Sequence, residues 1–279
     1  MLEIKFDLPK CESLEIVCIS DVHMGNPLCN EAELKRIIDY VLEEPEDEKM
    51  GRICLLNGDL TESQTKTNRN SSMFDNAMSP SVQVATMINY LKPLTEVSDK
   101  YPNGKILSYC SGNHDFGRYK ETGISAAESI AVALGLEDRF SNDGCYCFIH
   151  LKRMNNKDHR RYTLYNQHMT GGGSSVGGKA NRVAKISNGV IAQVIVGGHT
   201  HLPMTFKEDI ILPISNPIPK LQQMTITYVI CGAFLRYGDY AQRSGMKPST
   251  IQVPRIFMWQ ERKQKRYERG RFRCIEVIL

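Results

Sequence analysis

The sequence predicts an α/β fold in one domain over residues 1–279, and three observations predict it. Short apolar runs of strand length alternate with amphipathic stretches of helical period through the first half. Side chains able to bind cations or move protons stand just after five of those runs, between positions 21 and 201, so one fold has to gather them. At 41% hydrophobic residues the chain has an ordinary globular composition and can bury a sizeable core.

The first run, residues 14–20, is mostly apolar and reads as a buried strand ending at Asp21. Residues 31–43 follow with apolar side chains at Leu34, Ile37, Ile38, Val41 and Leu42, the spacing of one helix face. A second strand fits residues 52–56. Residues 62–78 form a long polar connection of the kind that often carries function. Ser79-Pro80 reads as an N-cap followed by proline in the first turn, opening a helix towards Val97 that Pro93 kinks or breaks. A third strand fits 105–110 and a short helix 125–134. The second half is richer in strand. Residues 144–151 and 161–167 flank the polar turn 154–160 as a hairpin, and further strands fit 192–196, 210–212, 225–231 and 274–279.

Each of the first, second and third strands, the second arm of the hairpin and the strand at 192–196 is followed by a motif. These are Asp21-Val22-His23, Gly58-Asp59, Gly112-Asn113-His114-Asp115, His168 and Gly198-His199-Thr200-His201. Ligands bind beyond the carboxyl ends of strands in α/β sheets, so one rim can collect all five. Five of the seven histidines fall inside the motifs. The donors are oxygen and imidazole nitrogen without sulfur, a set that suits divalent Mn, Fe, Zn or Ni better than a structural zinc site. Taken singly, Asp21, Asp59 and Asn113 would pass as turn or cap residues, and His168, with no short signature around it, as a buried core histidine. His150 and His159 sit in a strand and a charged turn and are assigned no function.

The motif order resembles that of the calcineurin-like metallophosphoesterase superfamily: D-x-H, G-D, G-N-H-D/E, a lone H, then G-H-x-H. The resemblance implies two central β-sheets packed as a sandwich with helices outside. It implies two divalent metal ions, manganese foremost, with Asp21, His23 and His201 on one, Asn113, His168 and His199 on the other, and Asp59 bridging. It also implies hydrolysis of phosphoesters by a metal-bridging hydroxide, with His114 protonating the leaving group and Asp115 orienting that imidazole. Two carboxylates and a hydroxide against two divalent ions leave a cationic site, suited to an anionic transition state.

Which phosphoester is cleaved rests on weaker signals. Protein phosphatases of the superfamily carry G-D-x-V-D-R-G, whose arginine contacts substrate phosphate. Here the stretch is Gly58-Asp59-Leu60-Thr61-Glu62-Ser63, without the arginine. The glycine-rich segment 171–179 fails the Walker A spacing because Ala180 follows Lys179. It reads either as a flexible linker or as a mobile substrate loop with Lys179 and Arg182 as phosphate contacts. The basic stretch 262–273, interleaved with Tyr267 and Phe272, reads either as a nucleic-acid track or as a solvated hairpin. The segment 234–241 is similar to metallophosphoesterases of phages and prophages. Together these favour a phosphodiesterase or nuclease acting on DNA, RNA or nucleotides over a phosphomonoesterase or a scaffold that has lost activity.

The net charge of +4 permits an anionic substrate without demanding one. Nine cysteines without a C-x-x-C pair suggest reduced thiols. No apolar run is long enough for a membrane span or a signal peptide, so a cytoplasmic protein without membrane partners is expected.

Overall fold

The computed structural model describes residues 1–63, 76–151, 160–171, 175–215, 219–238, 242, 250–263 and 270–279. Twelve described strands form two six-stranded mixed sheets. In chain order they are β1 (Leu2–Leu8), β2 (Ser13–Ile19), β3 (Met50–Asn57), β4 (Ile106–Cys110), β5 (Phe140–Ser141), β6 (Cys145–Leu151), β7 (Arg160–Gln167), β8 (Val194–Gly197), β9 (Met204–Ile214), β10 (Lys220–Ile230), β11 (Arg255–Lys263) and β12 (Gly270–Ile278). One sheet runs β1-β6-β7-β8-β10-β9 and the other β12-β11-β2-β3-β4-β5.

The period-2 alternation of strands sorts their side chains into layers. On β2, Leu14, Ile16 and Cys18 face the other sheet and meet Phe6, Ile149, Leu164, Val196 and Met258 in the central core. Val17 and Ile19 of the same strand point the other way, onto helices α1 (Glu31–Leu42), α2 (Pro80–Leu91) and α4 (Ala126–Ala133). Tyr165, Ile195 and Tyr228 of the other sheet's outer face pack with Val183 of α5 (Val176–Ala184). The result is a two-sheet sandwich with helices on both outer faces.

Residues 31–43 form α1 with the expected Leu34, Ile37, Ile38 and Val41 buried. The helix opened by Ser79-Pro80 ends at Leu91, and Pro93 lies in a 3-10 turn, Lys92–Thr95. β6 and β7 pair antiparallel as expected, while their turn lies outside the described residues. The connection 62–78 falls largely outside them too, at 64–75. Two helices arise where no helical period was evident: α3 (Asn113–Thr122) directly after Gly112, and α5 inside the glycine-rich segment. α5 forms because the Ser175 hydroxyl caps it, accepting from Gly178 N–H, and Val183 anchors it in the core. The arms of the basic segment pair through β11 and β12, with Arg262 opposite Arg271. Residues 264–269 lie outside the described set.

β2, β3 and β4 are parallel neighbours in one sheet, and β7 and β8 are parallel neighbours in the other. Their carboxyl ends meet at one rim of the sandwich, each followed within three residues by a motif. Among the described residues no helix is long and apolar enough to cross a membrane. Seven of the nine cysteines are buried thiols.

Candidate metal centre

The loop after β2 is fixed by pairing with the loop after β3. Asp21, His23 and Met24 N–H groups donate to the carbonyls of Gly58, Asp59 and Leu60 at 3.0–3.1 Å. Asp21 (φ 51°) and His23 (φ 52°) are therefore not on extended backbone, as their spacing suggested, but in the left-handed region. So are Asp59, Ser63, His199 and His201; the described non-glycine residues with positive φ are these six, and five are candidate ligands. Asp and His tolerate this conformation better than most residues, at a strain of order 1–3 kcal/mol each that clusters at functional sites.

The motif glycines are explained by what fills the space of their missing side chains. A Cβ on Gly112 would collide with the Asp59 carboxylate, and one on Gly198 with Asn57, Ser20 and Asp21. Gly58 has φ +74° and abuts the His168 ring. Each glycine lets a carboxylate or imidazole lie flat against the backbone.

Of three three-residue donor groups, two consist wholly of expected metal ligands: Asp21, His23 and His201, and Asp59, His168 and His199; the third is His23, Glu62 and His114. In the first, His201 Nε2 lies 3.1 Å from Asp21 Oδ1 and 3.3 Å from His23 Nε2. In the second, His168 Nε2 lies 3.1 Å from Asp59 Oδ2 and 3.2 Å from Asn113 Oδ1. All these side chains are buried except His201, Asn113 and His199, which are partly exposed.

The donors fit divalent ions on tautomer grounds. His168 Nδ1 is 2.6 Å from the Asn57 carbonyl, so that nitrogen must donate. Its Nε2 then points at two oxygens, and a positive charge, proton or metal ion, has to lie between them. His23 repeats the pattern, with Nδ1 at 2.9 Å from Glu62 Oε2 and Nε2 turned to His201. An imidazole tethered through one nitrogen to a carbonyl or carboxylate and presenting the other is how metal-binding histidines are held.

Electrostatics agrees. Burial would raise the Asp21 carboxyl, yet the imidazoles of His201 and His168 outweigh it and hold its pKa at about 2. Asp59 is likewise held well below the usual value, chiefly by His168 and His114 against the opposing effect of burial. Burial would lower His168, but Asp59 and Asp21 raise it to about 10. Burial and the neighbouring His168 charge push His199 down to about 4, leaving it a neutral donor. Asp59 falls in the second group but its charge also acts on His23 of the first.

His114 lies beside both groups. Its N–H donates to Asp59 Oδ1 at 2.9 Å, its ring meets His23 edge-on with centroids 4.7 Å apart, and its Nδ1 is 2.9 Å from the Glu62 carbonyl. Asp115 does not orient it. Successive helix residues point about 100° apart, and the Asp115 carboxylate turns back to cap α3, accepting from Gly112 N–H at 3.0 Å and Thr61 Oγ1 at 3.4 Å. Burial, reinforced by Asp59, raises that carboxyl to about 6.

The expected orienting role passes to Glu62, which sequence reasoning did not single out. It is buried, and its carboxylate holds His23, accepts from Asn26 Nδ2 at 3.2 Å and lies 3.7 Å from His114 Nδ1. Its only sequence signal is its place three residues after Asp59. Behind the centre, Asn57 Nδ2 donates to Asn166 Oδ1 and Asn166 Nδ2 to Leu56 O and Ser108 Oγ, joining the two sheets.

Lys179 and Arg182 belong to α5 rather than to an irregular loop. Lys179 Nζ donates to the Thr200 carbonyl at 2.8 Å, between the two C-terminal histidines, and Arg182 Nη1 to the Thr170 carbonyl at 2.9 Å. His150 pairs with Asp7 on the surface, and His159 lies outside the described residues.

A two-sheet sandwich carrying paired carboxylate–imidazole groups at the shared rim of its parallel strands defines a metal-dependent hydrolase. The chain belongs to the calcineurin-like phosphoesterase family, whose sequence model matches residues 14–203, and it is a metal-dependent phosphoester hydrolase. No curated protein matches it. Among solved structures it is similar to a conserved uncharacterized protein, a predicted phosphoesterase, from Streptococcus pneumoniae TIGR4. The identity is 9% and the TM-score 0.37, over 94% of this chain and 98% of that one. Vps29 of Chaetomium thermophilum is similar at 9% identity and a TM-score of 0.37, over 95% of each chain.

Proposed function

We propose that this hydrolase is a phosphodiesterase of nucleic acid or nucleotides, working with two divalent ions, manganese foremost. Asp21, His23 and His201 would hold one ion and Asn113, His168 and His199 the other, with Asp59 shared. Ions bound there supply positive charge to the phosphoryl oxygens and acidify a water. The chain's own part falls to His114. Because Nδ1 must donate to the Glu62 carbonyl, Nε2 is the nitrogen that carries a proton to the leaving oxygen. Glu62 is a positioning residue for both imidazoles.

One observation carries the diester reading. Where the protein phosphatases place their phosphate-binding arginine, this chain has Ser63, which is buried, pairs with Thr61 through its hydroxyl and donates its N–H to Gln83 Oε1 at 3.0 Å. A monoester dianion would lack that charge partner, whereas a diester carries one negative charge. Manganese-loaded protein should therefore cleave a bis-aryl phosphate better than the matching mono-aryl phosphate. A strong monoester preference overturns the reading in favour of a phosphomonoesterase.

A further inference from the structure

We infer that the exposed face of α3 is a stacking shelf for the base of the substrate nucleotide, one helical turn from the metal-ligand groups. The inference rests on the nucleotide-diester reading above and names the subsite that would enforce it.

α3 starts inside the centre. Asn113 is its first residue, with Oδ1 3.2 Å from His168 Nε2, and His114 is its second. Residues three, four and seven apart share a helix face, so Phe116 and Lys120 lie on the side that Asn113 presents to the metal ligands. At 1.5 Å per residue, Phe116 is only about 4.5 Å further along the axis. Phe116 is 50% exposed and Tyr119 48%. Their rings stack, with centroids 6.2 Å apart and planes 22° from parallel, and Lys120 Nζ stands 4.7 Å over the Phe116 ring.

Single exposed hydrophobic residues need no explanation, but this is a contiguous aromatic pair with a cation at the edge of a phosphoester site. The chemistry selects among ligands. Aromatic faces bind any base by stacking, and a nearby lysine supplies charge to the phosphate backbone. A helix that docks on protein presents an apolar stripe at i, i+3, i+4 and i+7. α3 instead offers two rings and an otherwise polar exposed surface of Lys120, Glu121 and Thr122.

The test compares two diesters with the same nitrophenol leaving group, a nucleoside nitrophenyl phosphate and methyl nitrophenyl phosphate. Wild-type protein should prefer the nucleoside ester in kcat/KM. In Phe116→Ala and Tyr119→Ala that preference should fall roughly fivefold or more, mostly through KM. Phe116→Trp should keep the preference, and its added indole fluorescence should be quenched on titration with a nucleoside monophosphate, a readout independent of turnover. A wild-type protein indifferent to the nucleoside overturns the nucleotide reading itself. A wild-type preference that survives both alanine variants, or an unquenched Phe116→Trp, overturns the shelf alone. Intact preference with an altered oligomeric state by light scattering makes the rings a protein contact and overturns it as well.

Discussion

Replacing Glu62 by glutamine removes one negative charge and leaves the side chain's shape. In the native centre Glu62 Oε2 faces the buried His23 Nδ1 at 2.9 Å and accepts from the half-buried Asn26 at 3.2 Å. Burial opposes its ionisation, yet the charge of His23 holds its pKa at about 2, and the carboxylates of Glu62 and Asp59 raise His23 to about 9. A glutamine oxygen at the Oε2 position would still accept both hydrogen bonds. What goes is the charge that makes His23 a stronger donor to a cation, since charge-assisted hydrogen bonds are roughly twice as strong as neutral ones. Losing such a partner typically weakens metal binding 10–100-fold, about 1.4–2.7 kcal/mol.

The structure also says where the loss should fall. Glu62 touches His23 of the first donor group, whereas His168 of the second is tethered to the Asn57 carbonyl. Calorimetric titration of manganese into metal-free Glu62→Gln should show one site weakened and the other close to wild type. His114 Nδ1 is held by the main-chain carbonyl of residue 62, so the dependence of turnover on leaving-group pKa should persist at saturating metal. Two sites weakened equally, or neither, would refute the tethering argument.

Two further outcomes follow from the same geometry. His114→Asn should depress turnover by roughly 10²–10⁴ with metal content unchanged, and the deficit should shrink for leaving groups that depart without a proton; metal analysis beside a leaving-group series checks both. Asp115→Asn should stabilise the metal-free protein at neutral pH. The fully buried Asp115 has its pKa raised from 3.8 to about 6, so the folded state binds the extra proton between those values and stability falls as pH rises through that window. The difference of about 2 units is worth about 3 kcal/mol at pH 7. It should vanish below about pH 4 in chemical denaturation, and a gain equal at both pH values sinks the assignment.

The strand ends were legible because a buried strand writes a continuous apolar run and the ligands follow it at fixed offsets. Asp21, Asp59, Asn113, His168 and His199 all stand within three residues of a strand's carboxyl end. What was not legible depends on partners distant in sequence. α3 carries no apolar period because only Asp115 of its residues is buried, and it is held by a cap rather than by a hydrophobic stripe. α5 reads as a glycine linker until Ser175 caps it and Val183 finds the core. The assignment of Asp115 to His114 followed adjacency in sequence, whereas the residue beside that ring arrives from the loop after β3.

The left-handed backbone at the ligands ties these observations together. Two residues apart on an extended strand would already put Asp21 and His23 on one side, so spacing alone gave no reason for φ near 50°. The reason lies in the neighbouring loop. Asp21, His23 and Met24 donate in turn to Gly58, Asp59 and Leu60, and this pairing carries Asp59 to within hydrogen-bond reach of the His114 N–H. The carboxylate fits there only because Gly112 has no side chain. The motif glycines and the strained ligands are therefore one construction. The glycines open the space, and the backbone pairing sets the ligands in it, where His168 lies 3.1 Å from Asp59 and His201 3.1 Å from Asp21.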